Sequence, residues 1–329
     1  MKVGLTRRLG KTNIEVSALG LGCWAIGGPF SSGRSSVGWG EVDDEQSIKA
    51  IHRALDLGIT FFDTADIYGA GHSERILGKA IGIHRKEVVI TTKFRNTFNE
   101  SMRKITGRNA SREYIQAACE SSLKRLGTNY IDLYQFHLGD YDPSKAQDVL
   151  EELESLVQKG KIKYYGWSTD DSKRAQLFAE GEHCVSVQHQ MNVLDDAPEM
   201  IKLCEELNLA SINKGPLAMG LLSGKYKGNS ILPEDDVRGV RSPEWMKYFR
   251  EGKPNPECLQ KLNMIKEILT SNGRSLVQGA LGWIWARNDK CIPIPGFKDP
   301  DQVEENASSM LYGLLEQQQM RSINDILTR

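Results

Sequence analysis

The sequence lacks several features that mark common classes of protein. Its 42 lysines and arginines balance 43 aspartates and glutamates, a formal net charge of -1, so no overall field is available to hold a nucleic acid or an anionic membrane. No stretch reaches about 18 consecutive apolar residues, and residues 1–20 contain no apolar core of a signal peptide. We therefore expect a cytoplasmic protein with a small-molecule ligand, and neither a nucleic acid nor a membrane as partner.

Motifs for metals and for dinucleotides are missing as well. The six cysteines are scattered, with no CxxC pair and no histidine at metal spacing, so we expect reduced thiols and no metal. The stretches GLGCWAIGG and YGAGHSE do not complete G-x-G-x-x-G, because Glu74 stands where the third glycine belongs. A Rossmann-type site is not expected. A metal-dependent barrel hydrolase or isomerase also lacks support, since no His-x-His ends a strand.

The sequence does contain a regular alternation of short apolar runs with longer amphipathic ones. An open doubly wound sheet shares most of these signals, but eight strands, each followed by a helix, favour an α/β protein with a closed (β/α)8 TIM barrel. We predict one barrel domain over residues 1–329, with an N-terminal β-hairpin in LTRRLGKTNIEVS. The eight predicted strands are ALGLGC, TFFDTA, EVVITTKF, IDLYQFH, KYYGWS, CVSVQHQ, LASINKG and CIPIPG.

Helix ends and loops have their own signals. Helix caps are predicted at Asp44 and Ser111, and Gly127 is predicted to end the second of these helices. Residues 227–256, after the seventh strand, form a long loop rich in glycine, proline and charge, which is a candidate substrate loop. The loop after the first strand offers three aromatic side chains at the same end of the barrel as candidates for the substrate pocket: Trp24, Phe30 and Trp39.

Polar residues stand where three successive apolar runs end: Asp63, with Tyr68 beyond it, then Lys93 and His137. The carboxyl ends of barrel strands face the active site, so these side chains should converge. Each alone has an ordinary explanation, as a helix cap, a surface lysine or a hydrogen-bonded core histidine. Together they suit protonation of a carbonyl oxygen during reduction. In this hypothesis Asp63 holds Lys93, Lys93 lowers the phenol's pKa from about 10, and a neutral His137 donates a hydrogen bond.

This set of residues closely resembles the aldo-keto reductase family, whose members carry an Asp, Tyr, Lys and His tetrad on a (β/α)8 barrel. The resemblance runs from about Arg8 to Ala307 through FFDTADIYG, SERILGKAI, VVITTKF, IDLYQFH, GPLAMGLLSGKY and IPIPGFKDPDQVEENA. It implies reduction of an aldehyde or ketone, sugar-derived, aliphatic or aromatic, by a reduced nicotinamide, with Tyr68 as general acid. Because the chain also resembles the branch of this family that is associated with potassium channels, an NADPH-sensing regulatory barrel with slow or no turnover is the alternative.

The resemblance also implies a set of cofactor contacts. Ser168 and Gln188 match positions that hold the nicotinamide carboxamide, and Thr169 stands where the family commonly has Asn. Lys298 is expected to meet the 2′-phosphate of NADP, which agrees with the suitability of a lysine at a loop–helix junction as a phosphate ligand. NADPH is therefore expected in preference to NADH. The other residues expected in this adenosine-end motif are Gly296, Gln302, Glu305 and Asn306.

One stretch departs from the family's pattern. The family often has Tyr or Trp followed by Ser-Pro-Leu, with the aromatic ring stacked on the nicotinamide, whereas this chain has Lys214, Gly215, Pro216 and Leu217. Three roles are open to Lys214: it adds positive charge beside the cofactor ring, folds away from it, or meets an acidic or sugar-derived substrate.

Overall fold

The computed structural model describes residues 4–329, so residues 1–3 of the predicted domain lie outside the described part. Its main sheet has eight strands that neighbour one another in chain order, as expected for a barrel built from successive strand–helix units. The barrel strands are β1 (Leu21–Gly22), β2 (Phe61–Asp63), β3 (Val89–Phe94), β4 (Ile131–Phe136), β5 (Ile162–Ser168), β6 (Cys184–Gln190), β7 (Ala210–Lys214) and β8 (Cys291–Pro293).

The sheet closes on itself between its first and last strands. All neighbouring pairs from β1 to β8 are parallel, and a parallel bridge joins Gly22 to Gly296 across the remaining gap. The Gly22 amide donates to Pro295 O over 2.9 Å. A side chain at position 22 would meet Ile294 O at 2.8 Å, so glycine permits this close approach. The predicted (β/α)8 barrel is confirmed, and the open doubly wound sheet is excluded.

At least one helix follows each barrel strand. The predicted cap at Ser111 is confirmed, since its hydroxyl accepts from Tyr114 N over 3.2 Å, and Gly127 ends that helix with φ +64. The predicted cap at Asp44 is wrong by one residue, because Asp43 accepts the free amides of the first turn. The helices are α1 (Asp44–Asp56), α2 (His72–Ile81), α3 (Arg112–Leu126), α4 (Ala146–Gln158), α5 (Ser172–Ala179), α6 (Pro198–Glu206), α7 (Pro256–Leu269), α8 (Leu276–Arg287), α9 (Pro300–Tyr312) and α10 (Gln317–Ile326).

The predicted N-terminal hairpin closes the amino-terminal end of the barrel. Strands Thr6–Arg8 and Glu15–Ser17 pair antiparallel. Leu9 and Val16 from this hairpin are buried and belong to the same apolar cluster as Phe61 and residues of the other strands. Burial at this end leaves the carboxyl end of the barrel for a ligand site.

Loops build the carboxyl end of the barrel. A four-stranded sheet, which the sequence did not predict, joins the loop after β1 to the loop after β3 through strands Ser31–Ser32, Ser35–Ser36, Asn96–Asn99 and Lys104–Arg108. The predicted long loop after β7 contains only the two-residue strands Phe249–Arg250 and Lys253–Pro254 before α7 begins. The loops after β1, β3 and β7 therefore lie at the carboxyl ends of the barrel strands. Within residues 4–329, no helix has the length and apolar character needed to span a membrane.

Candidate active site

A cavity of about 890 Å³ lies at the carboxyl ends of the barrel strands. Asp63, Tyr68 and His137 line it, together with residues from the loops after β1 and β7. Its volume falls within the range of about 300–1,000 Å³ that is usual for small-molecule sites. The cavity is thus where the strand-end rule places a functional site.

The four side chains expected to act together do converge. Lys93 Nζ donates to Asp63 Oδ2 and to Thr64 O, each over 2.6 Å, and lies 3.5 Å from the Tyr68 hydroxyl. The His137 ring stands perpendicular to the Tyr68 ring, with 6.3 Å between their centres. Lys93 is fully buried beneath the cavity, so its charge acts on Tyr68 without solvent between them.

Asp63 is fixed from across the barrel as well as by Lys93. Gln188 Nε2 donates to Asp63 Oδ1 over 2.7 Å, and Gln135 Nε2 lies 3.4 Å from the same oxygen. Gln188 lines the cavity, as the expected cofactor contact requires, but its amide nitrogen also orients the carboxylate. Gln135 was not predicted, although a glutamine within an otherwise apolar strand is a signal of an inward-facing polar group.

Burial sets the protonation of the site. It raises the pKa of the Tyr68 phenol well above its ordinary value, and the Asp63 carboxylate adds to this effect. This upward shift is a net one, in which burial and Asp63 dominate, so the lowering of this pKa by Lys93, whose Nζ lies 3.5 Å from the hydroxyl, stays a prediction. Burial, followed by the charge of Lys93, lowers the pKa of His137 well below its ordinary value. Near neutral pH the phenol holds its proton and the imidazole is neutral.

Two charged residues at the cavity wall were not predicted. Asp170, just beyond β5, lies 3.3 Å from Lys214 Nζ, so Lys214 faces the cavity as half of an ion pair. Arg95, just beyond β3, lines the cavity and its Nη1 donates to His137 O over 3.0 Å. Arg95 and Asp170 lie within two residues of the last residue of their strands. The rule that functional side chains stand at the carboxyl ends of barrel strands would have identified both, if those two following residues had been included.

The nicotinamide-end residues are only partly where the resemblance implies. Ser168 is not itself among the cavity-lining residues, but it pairs in register with Gln188, and its buried hydroxyl has no hydrogen-bond partner in the described part of the chain. Such an unsatisfied group beside a cavity-lining amide fits a carboxamide ligand. The Thr169 hydroxyl instead donates to Gly139 O over 3.0 Å, and Thr169 is not among the cavity-lining residues. The three residues after Lys214 line the cavity: Gly215, Pro216 and Leu217.

The five residues of the predicted adenosine-end motif all line one part of the cavity. Lys298 Nζ donates to Trp39 O over 2.6 Å, and the Lys298 amide donates to Gln302 Oε1 over 3.0 Å. The N-terminus of α9, which favours anions, belongs to this group. The motif comprises Gly296, Lys298, Gln302, Glu305 and Asn306.

Further positive charge near Lys298 was not predicted. Arg238 and Lys225, from the long loop and the residues before it, line the same cavity. Asp236 Oδ2 accepts from Arg238 Nη2 over 2.6 Å, and the guanidinium lies 4.5 Å from the Trp39 ring centre. Fixed cations at a helix N-terminus are suited to phosphate groups.

The three aromatic candidates for the substrate pocket, Trp24, Phe30 and Trp39, all line the cavity. The Trp24 ring stacks on the Tyr68 ring, with centres 5.8 Å apart and an interplanar angle of 18°. From the long loop, Trp245 approaches Trp24 to 6.2 Å. Within residues 4–329, no group of three or more side chains is arranged to hold a metal ion.

This fold and site belong to a known class of oxidoreductases. The family model described as "Aldo/keto reductase family" matches residues 18–328, so the chain is a member of the aldo/keto reductase family. Aldo-keto reductase YhdN of Bacillus subtilis is 33% identical over 323 residues, covering 96% of this chain and 91% of that protein. Aldo-keto reductase yakc [NADP(+)] of Schizosaccharomyces pombe is 30% identical, covering 93% and 86%. Among solved structures, glycerol dehydrogenase AKR11B4 of Gluconobacter oxydans has TM-score 0.82 and 27% identity, covering 98% and 95%.

Proposed function

We propose that the protein reduces an aldehyde or a ketone to the alcohol, with a hydride from NADPH and a proton from Tyr68. The observation that carries this proposal is the buried Lys93–Asp63 pair, 2.6 Å between Nζ and Oδ2, placed beneath a protonated phenol at a cavity wall. Family membership supports carbonyl chemistry in general. The reaction is reversible in principle, since the same groups accept a proton from an alcohol.

Tyr68, Lys93 and His137 have different roles at the carbonyl oxygen of the substrate. The Tyr68 hydroxyl donates its proton to this oxygen as negative charge develops on it. The ammonium of Lys93, 3.5 Å from the hydroxyl, then stabilises the phenolate that forms. Neutral His137 donates a second hydrogen bond to the oxygen, and the Trp24 ring stacked on Tyr68 restricts the phenol's orientation. The nicotinamide supplies only the hydride.

The cofactor is held at two ends in this proposal. Ser168 and Gln188 bind the carboxamide, and residues 215–217 border the ring next to Lys214, which stands where the family has an aromatic platform. Lys298 meets the 2′-phosphate, and Lys225 supplies further positive charge in the same cavity, whereas Asp236 balances the charge of Arg238. The Schizosaccharomyces pombe relative, whose name specifies NADP(+), supports this choice of cofactor.

The experiment that tests the proposal is cofactor oxidation with a panel of aldehydes, ketones and keto-sugars, run in parallel with NADPH and NADH. We expect turnover of at least one carbonyl class and a higher kcat/KM with NADPH. Binding of NADPH to the same preparation is measured by quenching of protein fluorescence. Tight binding of NADPH without turnover of any carbonyl would overturn the proposal and favour an NADPH-sensing barrel.

A further inference from the structure

Arg95 is a cation at the catalytic end of the cavity that the proposed chemistry does not use. It lies two residues beyond Lys93 and lines the cavity with Tyr68 and His137. In an eight-stranded barrel, β3 lies opposite β7, so Arg95 stands across the cavity from Lys214. The residues expected to bind cofactor phosphates follow β7 and β8 and are on the other side. Arg95 is therefore placed for the substrate rather than for the cofactor phosphates.

The protein uses only part of the hydrogen-bonding capacity of the Arg95 guanidinium. Nη1 donates to His137 O over 3.0 Å, and Nε is enclosed without a hydrogen-bond partner within residues 4–329, so a ligand does not reach it. Nη2 donates to none of the described residues and is not among the enclosed atoms. It is therefore the nitrogen left to donate a charge-assisted hydrogen bond to a carboxylate or phosphate oxygen.

No acidic side chain of the described residues forms an ion pair with Arg95. Asp140, the acidic residue whose charge acts most strongly on Arg95, pairs with Arg108 at 3.1 Å instead. Burial, followed by the charge of Arg108, lowers the pKa of Arg95, although Asp140 and Asp66 act in the opposite direction. A partly enclosed cation without a counter-ion costs stability, so a ligand that carries the missing negative charge gains from binding there.

We propose that Arg95 binds an anionic oxygen group of the substrate, a carboxylate or a phosphate, while the carbonyl oxygen lies against Tyr68 and His137. The protein then prefers oxo acids or oxo phosphates to neutral carbonyl compounds. This inference rests on the proposed reductase function and names its substrate class. Lys214 is already neutralised by Asp170 at 3.3 Å, so Arg95 is the principal determinant of this preference.

The test compares charged and neutral substrates of equal chain length with NADPH. Succinate semialdehyde is paired with butanal, glyoxylate with acetaldehyde, and glycolaldehyde phosphate with glycolaldehyde, and kcat/KM is measured for the wild type, Arg95→Gln and Arg95→Lys. Arg108→Gln is the matched control, because it removes a cation from the same loop that is exposed and already paired. NADPH affinity, measured by fluorescence, shows that each variant is folded.

We expect the wild type to prefer at least one anionic substrate to its neutral partner. Arg95→Gln should lose about 30- to 300-fold in kcat/KM for that anion, as for truncation of one partner of an enclosed charge pair, and clearly less for the neutral one, which loses only the support that Arg95 gives to His137 O. Arg95→Lys should keep part of the preference, and Arg108→Gln should keep it within about threefold. The pair that responds identifies carboxylate or phosphate.

Two outcomes oppose the inference and are distinguishable. Turnover of neutral aldehydes without any preference for anions, or equal losses for both substrate types in Arg95→Gln, would overturn it and leave the reductase function intact. Absence of turnover with every carbonyl in the wild type would overturn both.

Discussion

The ammonium of Lys93 lies 2.6 Å from Asp63 Oδ2, in an enclosure where the lysine side chain is fully buried. Burying such a pair costs several kcal/mol of desolvation per ion before its mutual attraction is counted, so it is a weak contributor to stability. The Lys93–Asp63 pair does, however, hold a positive charge 3.5 Å from the Tyr68 hydroxyl. We infer that this placement, not stability, is the role of the pair.

The substitution Asp63→Asn tests that role. It leaves Lys93 buried without a counter-charge, so we expect a loss of about 3–5 kcal/mol in the free energy of unfolding and a drop of at least about 100-fold in kcat. The double variant Asp63→Asn with Lys93→Met removes both charges. It should recover most of the stability, measured by urea unfolding, but no activity. Recovery of activity along with stability would contradict a catalytic role for Lys93.

The pH profile of reduction follows from the protonation of the two ring groups. The pKa of Tyr68 is raised above its ordinary value, so the phenol keeps its proton at alkaline pH, and the lowered pKa of His137 keeps the imidazole neutral at acidic pH. We expect kcat/KM for reduction, which reports the free enzyme, to be flat from about pH 6.5 to 9. A one-proton decline centred near pH 8 would show that the phenol ionises earlier than the structure indicates.

Lys298 provides a test of cofactor choice. Because its charge is proposed to meet the 2′-phosphate, Lys298→Met should weaken NADPH binding by about 10- to 100-fold while the affinity for NADH, which lacks this phosphate, stays nearly constant. Fluorescence titration with both cofactors measures the effect. Lys290, a half-buried lysine before the first residue of β8 whose Nζ donates to Asn208 Oδ1, offers a matched control in Lys290→Met. Equal weakening for both cofactors would mean that Lys298 supports the loop through Trp39 O rather than the phosphate.

The burial of His189 predicts how the free energy of unfolding depends on pH. It is buried, with Nε2 2.7 Å from Ser211 Oγ, and burial lowers its pKa to about 4. Between pH 4 and about pH 6.5 the unfolded chain binds a proton at His189 more readily than the folded chain does. The free energy of unfolding therefore falls as the pH falls through this window. The contribution is on the order of 3 kcal/mol. His189→Gln, compared with the wild type by urea unfolding at several pH values, should lose this part of the slope; an unchanged slope would refute the assignment.

Much of the fold was predictable because its signals are local. Each barrel strand is a short apolar run between turn residues, and the closed topology follows from their number and order. The strands are shorter than the runs, however, because several apolar positions lie in the loops beyond the strand ends. The four-stranded sheet formed by the loops after β1 and β3 was not predicted. Its strands, such as Ser31–Ser32, are too short and too polar to produce a periodic hydrophobic pattern.

The convergence of the four tetrad residues was predictable from the strand-end rule, but their electrostatics were not. The pKa of Tyr68 depends on how deeply the phenol is buried and on how strongly the Asp63 carboxylate acts on it, and neither property is visible in the sequence. Arg95 and Asp170 were missed for a simpler reason, since each lies a short distance beyond the last residue of its strand. The roles assigned to the cofactor residues and the single domain over residues 1–329 stay predictions.

The measurement that tests the central claim most directly is NADPH oxidation by the wild type and by Tyr68→Phe, with the best carbonyl substrate of the panel. NADPH affinity is measured for both proteins at the same time. Since phenylalanine keeps the ring against Trp24 and removes only the proton donor, we predict unchanged NADPH binding and a loss of about 100- to 10,000-fold in kcat. Full turnover by Tyr68→Phe with normal binding would contradict the account, because the proton would then come from another group.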